Sequence, residues 1–147
     1  MSNTPVTTAL KTVLANSYAL ALKTQNYHWN VEGRHFPSLH PMFEAQYDAL
    51  FEAIDTLAER IRALGEKAPG SFAEFSKLST ISDANSALDE NAMVKDLHDG
   101  HTQLAKTVSD AIKTAQKAGD EVTADILIDR LTQHDKTAWM LRSSLKQ

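Results

Sequence analysis

Five side chains that could hold a metal ion lie within one stretch of the chain: His28, His40, Glu44, Asp55 and Glu59. The last four fall on what reads as one continuous helix. His40 and Glu44 are four apart and share a face, and so are Asp55 and Glu59. From Glu44 to Asp55 is close to three whole turns, so all four point roughly the same way. Along the axis, however, Glu44 and Asp55 stand roughly 16 Å apart, whereas a ligand atom lies about 2 Å from its metal. One chain therefore cannot close a site from all four. The set is symmetric about a midpoint between Ala49 and Leu50. An antiparallel copy of the helix, related by a two-fold axis there, would set His40 and Glu44 of one chain opposite Asp55 and Glu59 of the other. Two equivalent sites about 22 Å apart would result. Ala45, Ala49 and Ala53 leave room for that approach. The pattern predicts a metal site shared between subunits. Imidazole with carboxylate suits Fe, Zn or Mn, so ligand type alone does not choose the metal.

The elements that must position these residues are helical. A first helix is expected over 4–32, with Val6, Leu10, Val13, Leu14, Leu20 and Tyr27 as its apolar stripe and Gly33 as C-cap. Ser38 is the expected N-cap of a second helix that carries Pro41 in its first turn and ends near Leu64 at Gly65. A connection over 66–88 follows, in which Ser71 and Glu74 have capping-box spacing before a short helix near 72–77. Adjacent antiparallel helices need only a few linking residues, so this length implies a crossover. A third helix is expected over 90–118, with Met93, Leu97, Leu104, Val108 and Ile112 on one face. A fourth, over 121–145, has Asp120 as N-cap. The fold class is all-α, a ferritin-like four-helix bundle with one long crossover carrying a short helix, in a single domain spanning 1–147.

Several chemistries find no support. There is no Cys, hence no thiolate site or disulfide framework. Ser, His and Asp occur without a nucleophile motif, and glycine is too sparse for a phosphate loop. No run of 18 apolar residues exists, and the N-terminus lacks a basic segment before an apolar core; no membrane association and a cytoplasmic location are the default expectation. The di-iron core of ordinary ferritins needs two Glu-x-x-His motifs on separate helices. Glu32 and His35 give that spelling once, across Gly33, so an intrachain core is not expected. His98 and His101 read as solvated polar residues flanking Gly100, and Trp29 reads as a helix-interface anchor or a ring beside the metal.

The segment H28-W-N-V-E-G33, followed after five residues by L39-H40 and then by E44, resembles the first signature of the Dps mini-ferritins, the DNA-binding proteins from starved cells. D55-T-L-A-E59-R60, with Leu64, Gly65 and Ala68 after it, resembles the second, and the TADIL stretch at 123–127 extends the likeness. The resemblance implies a homododecameric hollow cage with ferroxidase centres at its two-fold interfaces. Each centre would draw His28 and His40 from one subunit and Asp55 and Glu59 from its neighbour. The substrate would be iron, taken up as Fe(II), oxidised by hydrogen peroxide or dioxygen, and stored as Fe(III) mineral. Glu44 stands where many members carry Asp, and its extra methylene changes its reach. The TADIL likeness also places Glu121 and Asp125, which share a face with Asp129, at three-fold pores through which iron would pass. The alternatives are a DNA-compacting nucleoid protein and a non-catalytic metal-storing cage.

Family members that bind DNA commonly use a basic tail. Here residues 1–10 hold no Lys or Arg, the final seven residues offer only Arg142 and Lys146, and the net charge is −4. Affinity for DNA rests on cations meeting phosphates. At about 150 mM salt and neutral pH, a gel shift should show no tight stoichiometric complex; a tight one would point to an exposed patch involving Lys11, Arg142 or Lys146.

Overall fold

The computed structural model describes residues 3–145. They form five helices: α1 (Thr4–Asn30), α2 (Phe36–Ala63), α3 (Phe72–Leu78), α4 (Glu90–Lys117) and α5 (Glu121–Ser143). The four long helices make the bundle, with α1 against α2 and α4, and α4 against α5; α3 lies on the crossover against α1. No strand occurs among the described residues. The centre is closed by Leu10, Leu14 and Tyr27 of α1, Phe43, Leu50, Leu57 and Ile61 of α2, Met93, Leu97 and Leu104 of α4, and Leu127 and Leu141 of α5, each at most 2 % exposed. Burying one such aliphatic or aromatic side chain stabilises by about 1.5–3 kcal/mol. The stripes expected on the first and third helices are the ones buried.

Side-chain caps account for three of the five helix starts. The Ser71 hydroxyl accepts from the Glu74 amide at 3.2 Å and starts α3. Asp89 accepts from the Ala92 amide at 2.8 Å at the start of α4, and Asp120 from the Thr123 amide at 3.0 Å at the start of α5. Around the turn into α2 the structure differs from the sequence expectation. The helix begins at Phe36, not after Ser38; His35 occupies the cap position without a side-chain cap, and the Ser38 hydroxyl donates to the His35 carbonyl at 3.0 Å. Pro41 consequently lies inside the helix rather than in its first turn, where its missing N–H leaves one carbonyl of the preceding turn without a helical donor. α1 ends at Asn30 on an extended Val31. Gly33 belongs to the turn itself, at φ +130°, where a Cβ would come within 2.8 Å of a Glu90 carboxylate oxygen. That carboxylate accepts from the His35 amide at 2.9 Å and pairs with its Nδ1 at 2.6 Å.

The crossover is stitched to α1. Asn16 Oδ1 accepts from the Thr80 amide at 2.8 Å, Lys23 donates to the Ser82 hydroxyl at 2.9 Å, and the Tyr27 hydroxyl accepts from the Asn85 amide at 3.1 Å. Tyr27 in turn donates to Asp96 of α4 at 2.6 Å, and Lys23 pairs with the same carboxylate at 2.9 Å. Burial, then the hydrogen bond to Asp96, pushes the Tyr27 hydroxyl from 10.0 up to about 12. Tyr27→Phe leaves the Asn85 amide and Asp96 each short of a partner, which should cost about 1–3 kcal/mol and lower Tm by several degrees. A group whose folded pKa is raised contributes stability that is complete below its ordinary value and lost as pH rises through the raised one. The wild type should therefore lose more Tm between pH 10 and 12 than Tyr27→Phe does. Equal slopes in a pH series of melting curves would deny Tyr27 this role.

Candidate metal centre

His28 sits in the last turn of α1 and His40 in the second turn of α2, and the short turn between them folds each onto the other. Their rings stack with centroids 3.8 Å apart and planes 11° from parallel. Each ring is held by the other residue's backbone. His28 Nδ1 meets the His40 carbonyl at 2.6 Å, and His40 Nδ1 meets the His28 carbonyl at 2.7 Å. A carbonyl only accepts, so both Nδ1 atoms must carry the proton. In the neutral form of each ring the lone pair is then on Nε2, the arrangement that binds a metal. Phe36, one turn before His40, stacks on it at 4.9 Å, and Tyr47 stands edge-on to His28 at 5.4 Å. These aromatic walls were not singled out from sequence; the spacing of Phe36 and His40, four apart, was the available signal. His28 is buried, while Glu44, one turn beyond His40, is half-buried.

Asp55 and Glu59 lie on the exposed side of α2, one turn apart. A hydrogen bond with Asp55, then the charge of Asp55, holds the Glu59 carboxyl above its ordinary value. Two carboxylates so close favour a shared proton or a cation. Next to Glu59, Arg60 turns the other way: it donates from Nε to the Thr123 hydroxyl at 2.9 Å and from Nη2 to Asp120 at 3.1 Å, tying the end of α2 to the start of α5.

The structure thus brings His28 to His40 and sets Asp55 beside Glu59. It does not bring the two pairs together: along α2, His40 and Asp55 are separated by about 22 Å. Among the described residues no three or more His, Asp or Glu side chains converge within one chain. Trp29 is 60 % exposed, so it anchors no packing inside the chain. Glu121 and Asp125 are both exposed on the first turns of α5; Asp125 and Asp129 line a groove with Glu52 of α2, and Glu121 does not. His35, the second half of the Glu32-x-x-His35 spelling, is engaged by Glu90. His101 departs from the sequence expectation: it is 2 % exposed and meets His134 inside the bundle, because α4 turns that face onto α5. No helix among the described residues is long and apolar enough to cross a membrane.

A family model described as a ferritin-like domain matches residues 7–147. DNA protection during starvation protein 2 of Bacillus anthracis is 33 % identical over 99 % of this chain and 99 % of its own. The crystal structure of Dps from Staphylococcus aureus superposes with a TM-score of 0.94 at 35 % identity, covering 97 % of this chain and 95 % of that one. A Dps from Vibrio cholerae O1, described as a member of a broad superfamily of ferritin-like diiron-carboxylate proteins, gives 0.94 at 33 % identity over 99 % of this chain and 94 % of that one.

The carboxylate pair makes a checkable demand. Raised as it is, the Glu59 carboxyl contributes stability below its ordinary pKa that is lost as pH rises through the raised value. At neutral pH Asp55 and Glu59 therefore repel, and Asp55→Asn or Glu59→Gln should give a metal-free protein that melts no lower than the wild type. A clear fall in Tm would assign these residues to holding the fold.

Proposed function

The chain belongs to the ferritin-like family as one of its Dps members, and from that premise we propose that it is a ferroxidase that stores iron in a hollow homododecamer. The observation that carries the reading is the pair of half-sites. Two imidazoles with free Nε2 lone pairs stand at one end of α2, and two mutually repelling carboxylates at the other. Their separation is closed by a two-fold copy of the helix, not by the chain itself. The diiron-carboxylate description of the Vibrio cholerae relative supports iron as the metal. Exposed Trp29 and Phe36 beside the imidazole pair, and exposed Ile128, Trp139 and Met140 on α5, supply apolar surface for contacts between subunits.

In this reading iron is the substrate. Asp55 and Glu59 bind hard Fe(II) and neutralise its charge, while His28 and His40 of the neighbouring subunit complete the site with neutral nitrogen. Glu44 stands one turn from His40, within reach of either the metal or a water bound to it. Two Fe(II) ions give one electron each to hydrogen peroxide. The O–O bond breaks, two protons are taken up, and two water molecules and two Fe(III) ions result. Because both electrons are delivered together, no hydroxyl radical leaves the site. Glu121 and Asp125 form negative rings at the three-fold pores and draw Fe(II) inward. Protection of DNA, which the relative's name states, follows here from removing Fe(II) and peroxide rather than from coating the duplex.

One experiment tests the reading and the sharing of the site together. Fe(II) is loaded anaerobically and stoichiometric peroxide added, with iron absorbance and a radical trap as readouts. The samples are wild type, His28→Ala/His40→Ala, Asp55→Ala/Glu59→Ala, and cages reassembled from both variants. Wild type should oxidise iron without trapped radical, and each variant alone should lose more than roughly tenfold in rate. In a mixed dimer one site is intact and the other doubly broken, so random reassembly should restore about a quarter of wild-type activity. No recovery in verified mixed cages would rule out the shared site, and wild-type cages that bind but never oxidise Fe(II) would leave a metal store.

A further inference from the structure

The turn that joins α1 to α2 carries His28 before it and His40 after it, and its own hydrogen bonds are short-range. The Phe36 amide donates to the Gly33 carbonyl at 3.2 Å, and the Leu39 amide to the His35 carbonyl at 2.9 Å. On the inner side Val31 and Leu39 anchor it, 2 % and 6 % exposed. On the outer side, among the described residues, the turn has one hydrogen-bond partner distant in sequence: Glu90, in the first turn of α4. One Glu90 oxygen accepts from the His35 amide at 2.9 Å. The other accepts from His35 Nδ1 at 2.6 Å, which carries the proton there because a carboxylate only accepts. The hydrogen bonds from the His35 ring and amide hold the Glu90 carboxyl below its ordinary range, so it is a charged acceptor at neutral pH.

An acidic residue in the first turn of a helix ordinarily serves that helix through its dipole. Glu90 has the position for that role, yet both its oxygens are engaged by the start of α2. The cap of α4 is Asp89, which accepts from the Ala92 amide at 2.8 Å. Gly33 fits the same division of labour. It stands at φ +130°, and a Cβ on it would come within 2.8 Å of a Glu90 oxygen, so the turn is shaped to admit the carboxylate. The Glu90 side chain is 16 % exposed and is seated in the turn, not reaching through solvent.

A displacement of His35 passes to the imidazole pair by two routes. The His35 carbonyl opens the hydrogen-bond ladder of α2 by accepting from Leu39, and His40 is the next residue. Phe36, beside His35, stacks on the His40 ring at 4.9 Å. His40 in turn shares the two Nδ1–carbonyl contacts with His28, at 2.6 and 2.7 Å. We propose that Glu90 is a positioning residue for the imidazole pair: by holding the His35 amide and ring it sets the first turn of α2, and with it the stacking of His28 on His40. The proposal deepens the reading of that pair as half of an iron site, and its metal readout rests on that reading.

The test has one readout without metal and one with it. In metal-free crystals of Glu90→Ala, at least one of the two Nδ1–carbonyl contacts should lengthen beyond about 3.5 Å, the limit of a hydrogen bond. In solution the probe is Co(II), followed by its visible absorption in the assembled protein, with His28→Ala/His40→Ala as the baseline lacking the imidazoles. Glu90→Ala should weaken the histidine-dependent Co(II) binding by more than roughly tenfold. Glu90→Gln should restore most of it: the Gln oxygen can accept from the His35 amide, and its NH2 can donate to Nδ1 once the exposed ring moves its proton to Nε2. Asp89→Ala should lower Tm by losing the cap of α4 while binding Co(II) as the wild type does. If Glu90→Ala does not fold, Glu90→Asp replaces it, since it keeps the charge but is too short to span both His35 groups. Rings that superpose on those of the wild type overturn the proposal. So does equal weakening in Asp89→Ala and Glu90→Ala, which would make Glu90 a support of α4 only. Wild-type Co(II) binding that ignores His28 and His40 would instead count against the metal reading, and the crystals of Glu90→Ala would still decide the positioning.

Discussion

Each histidine of the α1–α2 turn donates its Nδ1 proton to the backbone of the other, and much of the molecule's chemistry depends on that exchange. The two hydrogen bonds fix how the second long helix leaves the first. They also fix the tautomer of each neutral ring, in which Nε2 carries the lone pair. Neither effect needs a side-chain partner that could be lost by mutation, because carbonyls serve as acceptors. The turn that allows the exchange is supported from behind. Glu90 of α4 accepts from the His35 amide and pairs with its ring, and Gly33 leaves the space that the Glu90 carboxylate occupies. A chain of contacts thus runs from the first turn of α4 to the geometry of the imidazole pair. The carboxylate half has its own support, since Arg60 ties the end of α2 to Asp120 and Thr123.

Most of the architecture was legible in the sequence because it rests on local rules. The apolar stripes of α1 and α4, the capping oxygens of Ser71 and Asp120, and the length of the crossover each report on nearby chain. The positions of His40, Asp55 and Glu59 on one helix were equally legible, since helical spacing is arithmetic. The turn into α2 was misread for a physical reason. Ser38 has the right chemistry for a cap, but its hydroxyl instead returns to the His35 carbonyl while the helix starts ahead of it. The pairing of His35 with Glu90 crosses 55 residues, and no local pattern announces it.

His101 is the larger miss. Beside Gly100 and two aspartates it reads as polar surface, yet it is enclosed. Helical phase is the reason: four residues after Leu97 and three before Leu104, His101 falls on the buried stripe of α4, while Gly100 beside it lets α1 approach, since a Cβ there would come within 2.8 Å of a Leu20 methyl. Its partner, His134, is 33 residues away on another helix. The chain therefore holds two histidine pairs with opposite design. One is tied to backbone carbonyls; the other is tied ring to ring inside the bundle.

The stitching of the crossover bears on how the chain closes on itself. Asn16 and Thr80 are 64 residues apart, Lys23 and Ser82 are 59, and Tyr27 and Asn85 are 58. Taken singly, each contact closes a large loop, and the entropy of that closure grows only slowly with length. Taken in sequence, they are unequal. Once Asn16 has captured Thr80, Lys23 and Ser82 need to find each other across only the few residues of α1 and crossover between the two stitches, and Tyr27 and Asn85 across fewer still. The first contact bears nearly all the loss of chain freedom, and the remaining two follow as short-loop closures. Three bonds of ordinary strength thereby act as one zipper, fastened along the side of a helix that is already formed.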